Sequence, residues 1–476
     1  MTEPTLAQRL GRFAVDSRFD TLPDEVVDSV RKRVLDIAGI MAAAAPLPTS
    51  RAARRWARDQ GGRPQATAVG VVDRLPATLA AFTNGVLAHS LDYDDTHLPS
   101  VLHPSACVVP AALAAAEATG ADGRTTVAAI AVGLEICVRL GMAGYDENIG
   151  NSVFFEHGQH ATSICGAMGG AAAAALVYRL DARGVTDALA VTASMAAGII
   201  EANRTGGTVK RLHCGWAAHA AVSATQLVAH GFTGPPTVLE GRFGFFQAWL
   251  HGTFDEKAIT GGLGESWSVP GIFFKPYPAN HFTHAGIDAA RALRARGLDV
   301  DRIESIQLGV PAANLPTVGE PIAVKRAPDT GYMAQFSGPY TVVAGLLGGG
   351  GLGVGLDDFT DELARDPRRR ALMALVDVVP DERCSAIFPH QFPAVLRVRT
   401  RDGQELVEEV LTNRGGPDRP LSFDELATKF RDNAARVLPS DAADRVRDTC
   451  AGLAALTDVG TLLEPLRTVD VLDPDQ

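Results

Sequence analysis

Six alanine-rich stretches constrain this chain more than any other feature. They cover residues 77–88, 108–119, 127–140, 161–180, 186–199 and 217–230. Alanine has the highest helix propensity, and its short side chain lets two helices approach closely. Residues 26–41 add a helix of the ordinary amphipathic kind, with Val27, Val30, Val34, Ile37 and Met41 on one stripe and Pro23-Asp24-Glu25 as its start. Asp122-Gly123-Arg124 and Asp181-Ala182-Arg183-Gly184 read as breaks between helices. The rhythm of helix, short turn and helix predicts a bundle. No sequence repeat of fixed period accompanies it.

The pattern changes near residues 266–278, SWSVPGIFFKPYP, where proline interrupts helix. One helix is expected at 284–296 and a strand at 303–310. Residues 392–400 and 405–412 form two β-rich runs around Asp402-Gly403, a hairpin signal. Residues 422–436 and 441–456 return to helical pattern. The expected fold class is mainly α with an α+β part. A helical domain is built from both chain ends, residues 1–268 and 406–476, around an inserted α+β lid domain at 269–405. The hairpin is able to carry the lid further. A length of 476 residues is long for one core and fits two domains.

Composition narrows the partners. Hydrophobic residues make up 46% and charged residues 21%, as in a globular protein without long disorder. Lys plus Arg is 44 against 55 for Asp plus Glu, a net charge of −11. That balance disfavours nucleic acid or an anionic membrane as partner, and an anionic substrate would need a locally basic pocket. The six cysteines, Cys107, Cys137, Cys165, Cys214, Cys384 and Cys450, carry no CxxC or zinc-ribbon spacing. Scattered cysteines of this kind fit packed, reduced thiols and a cytoplasmic location. The first residues lack a basic segment followed by an apolar one, so no signal peptide is expected. The apolar runs 164–177 and 341–356 are short or broken by glycine, and neither reads as a membrane span.

Five constellations are able to carry chemistry. The richest is residues 88–110, AHSLDYDDTHLPSVLHPSACVVP, which sets Asp92, Asp94, Asp95, Thr96, His89, His97 and His103 between apolar runs. Burying such groups is costly unless they are paired or used. If residues 92–96 are helical, Asp92 and Thr96 share one face, and Asp92 and Asp95 lie close enough for one carboxyl to be raised. A raised carboxyl can act as proton donor or acceptor near neutral pH. Capping by Asp92 and a backbone bond from His103 is the plainer alternative, and a cage for Mg²⁺ or Zn²⁺ is a third. No HxxxH or HExxH spacing supports the cage.

The second is His157-Gly158-Gln159-His160-Ala161-Thr162, where His160 opens a helix whose dipole disfavours its protonation. The third is residues 204–213, RTGGTVKRLH, where Arg204, Lys210 and backbone amides could hold a carboxylate. Alone it would pass for a solvated basic loop. The fourth is residues 275–284, KPYPANHFTH, in which two prolines hold Lys275, Asn280 and His281 in fixed relation or merely stiffen a linker. The fifth is Phe336-Ser337-Gly338-Pro339-Tyr340, where Tyr340 is either a packed core residue or a proton relay. Cations, acid–base groups, no nucleotide loop and no metal signature together favour proton chemistry beside a carboxylate. Lys and His would stabilise the charge that develops there.

These segments, in this order, resemble the MmgE/PrpD family of 2-methylcitrate dehydratases and cis-aconitate decarboxylases. The resemblance rests on NGVLAHSLDYDDTH…HPS, GQHAT, VKRLHCGWAAHAA, EGRFGFF, FKPYPANHFTHAGIDAA and FSGPY, and spans most of the chain. It implies a helical domain from both chain ends, an inserted α+β lid, a homodimer, and no metal or organic cofactor. It also implies a pocket of Asp92, Thr96, His103, His160, Lys210, Lys275 and Tyr340, with His103 as main acid–base group. Lys210, Lys275 and His160 would surround substrate carboxylates. The chain departs from the decarboxylase pattern in three places. The loop from Thr96 to His103 is one residue longer, His97 replaces an aromatic residue, and Asn280 stands where the decarboxylase has histidine, with His281 adjacent.

The leading expectation is therefore a cofactor-independent lyase, with dehydration of a small di- or tricarboxylate first. His103, Asp92, His160, Lys210 and Tyr340 would be catalytic, and Thr96, Lys275, Asn280, His281 and Arg204 would bind substrate. The alternatives are decarboxylation of a cis-aconitate-like acid or epimerisation of an amino or imino dicarboxylate on the same scaffold. A non-catalytic carboxylate-binding protein is the remaining class, and the full acid–base set argues against it.

Overall fold

The computed structural model describes residues 3–202 and 207–468. The chain divides into two compact units, Met1–Ile272 with Asn433–Gln476, and Phe273–Asp432. The first is α-rich and built from both chain ends, and the second is α+β, as the sequence predicts.

The first unit contains α1 (Leu6–Asp16), α2 (Asp24–Ala44), α3 (Pro48–Gln60), α4 (Ala77–Ala88), α5 (Ser105–Thr119), α6 (Gly123–Met142), α7 (Ala161–Val177), α8 (Ala182–Ala193) and α9 (Val209–Ala229). One two-residue strand pair, β1 (Tyr145–Asp146) with β2 (Asn151–Ser152), is the exception to an all-helical reading. The two sequence breaks become caps. Asp122 accepts from the Thr125 amide at 2.7 Å, and Asp181 accepts from the Gly184 amide at 2.8 Å. The helix expected at 186–199 stops at Ala193, and Gly198, at φ +149°, turns its carbonyl to the His160 amide at 3.0 Å.

Helix α7 is the centre of this unit, buried along nearly its whole length and packed against α5, α6, α8 and α9. Its alanines and glycines are what allow four neighbours. A Cβ on Gly169 would stand 2.3 Å from the Gly133 carbonyl oxygen, so α6 and α7 touch backbone to backbone. The same contact joins α4 to α9. A Cβ on Gly85 would meet the Cys214 carbonyl oxygen at 2.7 Å, and one on Gly215 would meet the Phe82 carbonyl oxygen at 2.6 Å. This crossing matters because α4 ends at His89 and α9 begins beside Lys210 and His213.

Among the described residues one helix, α6, is long and apolar enough to cross a membrane, but 89% of its most apolar stretch is buried within the fold, as in a core helix.

The second unit carries a four-stranded sheet in the order β4-β3-β5-β6. Strand β3 (Ile303–Val310) runs parallel to β4 (Val376–Pro380) and antiparallel to β5 (Ala394–Thr400), which pairs with β6 (Glu405–Val410). Helix α10 (His284–Ala295) packs on β5, on β6 and on α11 (Gly338–Leu347). The expected boundary at 405 is corrected. Ala394 pairs with Val410 and Arg399 with Glu405, so a cut there would sever the hairpin ladder. The unit runs on to Asp432, within α12 (Phe423–Ala434). Beyond it, α13 (Ser440–Ala451) returns to α2.

Two outcomes follow from this packing. Gly85→Val forces α4 and α9 apart and is expected to cost about 1–3 kcal/mol, read by urea unfolding. The second concerns Glu117 at the end of α5, whose Oε2 accepts from the Thr67 amide at 2.9 Å and the Thr67 hydroxyl at 2.8 Å. Burial pushes its carboxyl up to about 7 from an ordinary 4.5. A carboxyl raised on folding stabilises fully below its unfolded value, and the contribution is lost as pH rises through about 7. Glu117→Gln should therefore melt higher than wild type at pH 8, by a margin worth about 1–3 kcal/mol, and show a flatter pH dependence between pH 5 and 8. A fall in melting temperature at pH 8 would contradict this.

Candidate active site

The acidic segment after α4 is a loop, not a helix, and this corrects the expected i,i+4 pairing of Asp92 with Thr96. Asp92 takes φ +51°, a left-handed conformation that ends the helical path. Each carboxylate then finds its own partner. Asp92 Oδ1 accepts from Lys210 Nζ at 3.2 Å. Asp94 Oδ2 lies 2.7 Å from His89 Nδ1, with both side chains fully buried. Asp95 Oδ2 accepts from Arg33 Nη1 at 2.5 Å and from the Ser105 hydroxyl, while its Oδ1 accepts from the Ser105 amide at 3.1 Å. Burial is the main force that raises the Asp95 carboxyl, against the pull of Arg33 and Ser105; the like charge that adds to it is Asp94, not Asp92.

Arg33 does more than neutralise Asp95. Its Nη2 donates to the Val269 and Ile272 carbonyls at 3.1 and 2.7 Å. It is buried on α2, at a position three residues after Val30 and four before Ile37.

The loop that follows turns His103 back toward the acids. His97 and Leu102 pair across it, with the His97 amide 2.8 Å from the Leu102 carbonyl oxygen. Val101 makes the turn at φ +53°, an uncommon and strained conformation for a β-branched residue. His103 Nδ1 then stands 2.7 Å from the Asp95 carbonyl oxygen. A carbonyl only accepts, so Nδ1 carries the proton and Nε2 is the basic nitrogen. Thr96 Oγ1 lies 3.4 Å from the same Nδ1, and the His103 amide donates to Thr162 Oγ1 at 3.2 Å. His97 turns instead to Ser100 Oγ at 2.6 Å; burial and Arg33 push it down to about 4.

His160 stands at the N-cap position of α7, where the sequence places it, but its side chain makes no capping bond and turns to His213 instead. Their Nδ1 atoms are 2.9 Å apart. Burial holds His160 well below the ordinary imidazole value and lowers His213 to about 4. The rings of His103, His89, His160 and His213 follow one another with centroids 5.2, 5.7 and 4.8 Å apart. Lys210 adds to the lowering of both His160 and His213. Helix α9 starts at Val209, so Lys210 and His213 lie one turn apart and not in a solvated loop. Among the expected residues of this unit, the structure brings together Asp92, Thr96, His103, His160 and Lys210. Arg204 lies outside the described residues.

The second unit holds the remaining expected residues. Lys275 is buried, and its carbonyl accepts from Lys429 Nζ at 2.8 Å. Asn280 spends its side chain on a cap, Oδ1 accepting from the Phe282 amide at 3.0 Å. His281 is buried between Phe273, Phe392 and His284, with ring centroids 5.9, 5.5 and 4.6 Å away. Tyr340 sits in the core, and its hydroxyl donates to the Asp358 carbonyl oxygen. Burial pushes that hydroxyl up to about 12, and Tyr340 stands in the structure as a packed residue whose tip is satisfied by the Asp358 carbonyl. Among the described residues, no cluster of three or more His, Cys, Asp or Glu forms a metal-binding group.

Sequence reading named His89 in the acidic segment and His213 at the end of the basic one without giving either a role, and it missed Arg33. The signals were present. Arg33 interrupts an apolar stripe, and His213 follows Lys210 at helical spacing.

An α-rich framework that gathers carboxylates, imidazoles and an ammonium group has the groups that acid–base chemistry needs. Residues 8–257 match the MmgE/PrpD N-terminal domain, and residues 277–453 match the MmgE/PrpD C-terminal domain. The chain is 30% identical over 463 residues to the cis-aconitate decarboxylase of Homo sapiens, covering 94% of this chain and 91% of that protein. It is 29% identical over 473 residues to the enzyme of the same name from Mus musculus, covering 95% and 91%. With that of Aspergillus terreus it shares 25% over 464 residues, covering 94% and 93%. The chain belongs to the MmgE/PrpD family and is a lyase of that family.

The Arg33–Asp95 pair gives a direct test of the cluster's architecture. Arg33→Met strands a buried carboxylate and should lower stability by about 3–5 kcal/mol. Adding Asp95→Asn should recover part of that loss in the same denaturation assay.

Proposed function

We propose that this protein is a metal-independent carboxy-lyase acting on cis-aconitate or a closely similar unsaturated tricarboxylate. The sequence alone put dehydration first. The similar proteins named above are decarboxylases along nearly their whole length, and that reverses the order. The observation that carries the reading is Lys210 at 3.2 Å from Asp92, at the partly exposed edge of the imidazole cluster. An incoming carboxylate competes with Asp92 for this ammonium group.

Decarboxylation breaks one C–C bond, releases CO₂, and leaves an electron pair that a proton must meet. The double bond next to the departing carboxylate lets that pair shift before it is protonated. In this reading Lys210 holds a substrate carboxylate, and the neutral pair His160 and His213 offers hydrogen bonds without adding charge. Thr96 and the Asp95 carbonyl orient His103, and His103 Nε2 moves the proton. Burial keeps water from competing for these groups.

The protein is further proposed to be a cytoplasmic homodimer. Its six free, buried cysteines support a reducing compartment. Val209, Leu212, Trp216 and Leu227 stand exposed along α9, which supports self-association. Sedimentation velocity checks it, and a monomer at micromolar concentration would contradict it.

Incubation with cis-aconitate in D₂O, followed by proton NMR, should show CO₂ loss with one solvent deuteron in each product molecule. Treatment with EDTA should leave the rate unchanged. His103→Asn should lower kcat by about 10²–10⁴-fold. Water loss from a hydroxytricarboxylate without CO₂ release would favour the dehydratase instead, and exchange without net conversion would favour an epimerase.

A further inference from the structure

Two imidazoles that meet through the same ring nitrogen cannot choose their tautomers independently. His160 Nδ1 and His213 Nδ1 are 2.9 Å apart, a hydrogen-bond distance. If both nitrogens carried protons they would repel; if neither did, two lone pairs would face each other. One proton in the contact satisfies both. The ring that donates Nδ1–H then has a bare, accepting Nε2. The ring that accepts has Nε2–H, a donor. The two outer nitrogens therefore always hold opposite roles.

We propose that His213 is the proton partner of His160, a positioning residue that sets which form of His160 Nε2 the substrate meets. This rests on the placement of the lyase site in the first unit. When substrate gives a proton to His160 Nε2, the shared proton crosses from His160 Nδ1 to His213 Nδ1, and His213 passes its Nε2 proton to water; the reverse sequence returns a proton to substrate. One proton enters, one leaves, and no net charge remains on the pair.

The surroundings fix the geometry on each side. The His160 amide donates to the Gly198 carbonyl at 3.0 Å, and Ser163 Oγ donates to the His213 carbonyl at 3.0 Å. The charged and titratable groups that face the pair are His89 at the end of α4, His103 on the loop and Lys210 on α9. Behind them stand Asp94 on His89 and Asp92 on Lys210. Lys210 discourages a second positive charge on the pair, and both rings are buried. A neutral pair that swaps its proton suits this position, and a charged imidazolium does not.

The test is nitrogen-15 NMR of histidine-labelled protein, with single His→Asn variants at positions 160 and 213 for assignment. At pH 7 one of the two rings should show the Nδ1–H tautomer and the other Nε2–H. Two rings in the same tautomer, or one imidazolium, would overturn the proposal. This readout needs no substrate, so it stands apart from whether cis-aconitate is turned over. With cis-aconitate as probe, His213→Leu should lower kcat by about tenfold or more and move a limb of the pH profile, with KM changed less. His213→Asn, which still donates or accepts near the Nδ1 position, should recover part of that loss. Equal kcat and pH profile in the folded Leu variant, checked by its melting curve, would also overturn it.

Discussion

Backbone-to-backbone contact between helices is the constraint on which the first unit depends. Helices α4 and α9 meet where Gly85 and Gly215 leave no room for a side chain, and α6 and α7 meet in the same way at Gly133 and Gly169. Short side chains bury little apolar area each, so such a bundle gains from closeness and density, not from large hydrophobes. The reward is position. His89 closes one helix of the first crossing, and Lys210 with His213 opens the other, so two segments more than a hundred residues apart in sequence meet in one cluster.

Within that cluster, charge is apportioned and not concentrated. Asp92 faces Lys210, Asp95 faces Arg33, and Asp94 faces His89. A buried ion pair contributes little net stability because desolvation opposes its attraction, but breaking one is expensive. Arg33 shows the use of that asymmetry. It fixes Asp95, the Asp95 carbonyl fixes the His103 ring, and the Val269 and Ile272 carbonyls fix Arg33. The Asp92–Lys210 pair differs, since Lys210 is partly exposed, and that exposure is why the proposed reaction seats a substrate carboxylate there.

Much of this was legible in the sequence because alanine content and apolar spacing are local signals. The helix at 77–88 and the strand at 303–310 fall where the residues predict them. The capping position of His160 was legible for the same reason. What escaped was set by distant partners. A helix over residues 92–96 would crowd three carboxylates into about one turn, and partners on α2, at the end of α4 and on α9 draw them into a loop. The end of the inserted unit was half legible: the Asp402-Gly403 hairpin signal ties β6 to β5, but no composition change marks the continuation to Asp432. Tyr340 was singled out for its hydroxyl, and only the fold shows that Asp358 occupies it. The Nδ1 contact of His213 with His160 depends on ring orientation, which spacing does not encode.

The most direct measurement is a crystal structure of the His103→Asn variant with cis-aconitate. The expected result is a substrate carboxylate within hydrogen-bond distance of Lys210 Nζ, with a substrate carbon facing position 103. Cis-aconitate bound elsewhere, with the Asp92–Lys210 pair undisturbed, would contradict the placement of the reaction in this cluster.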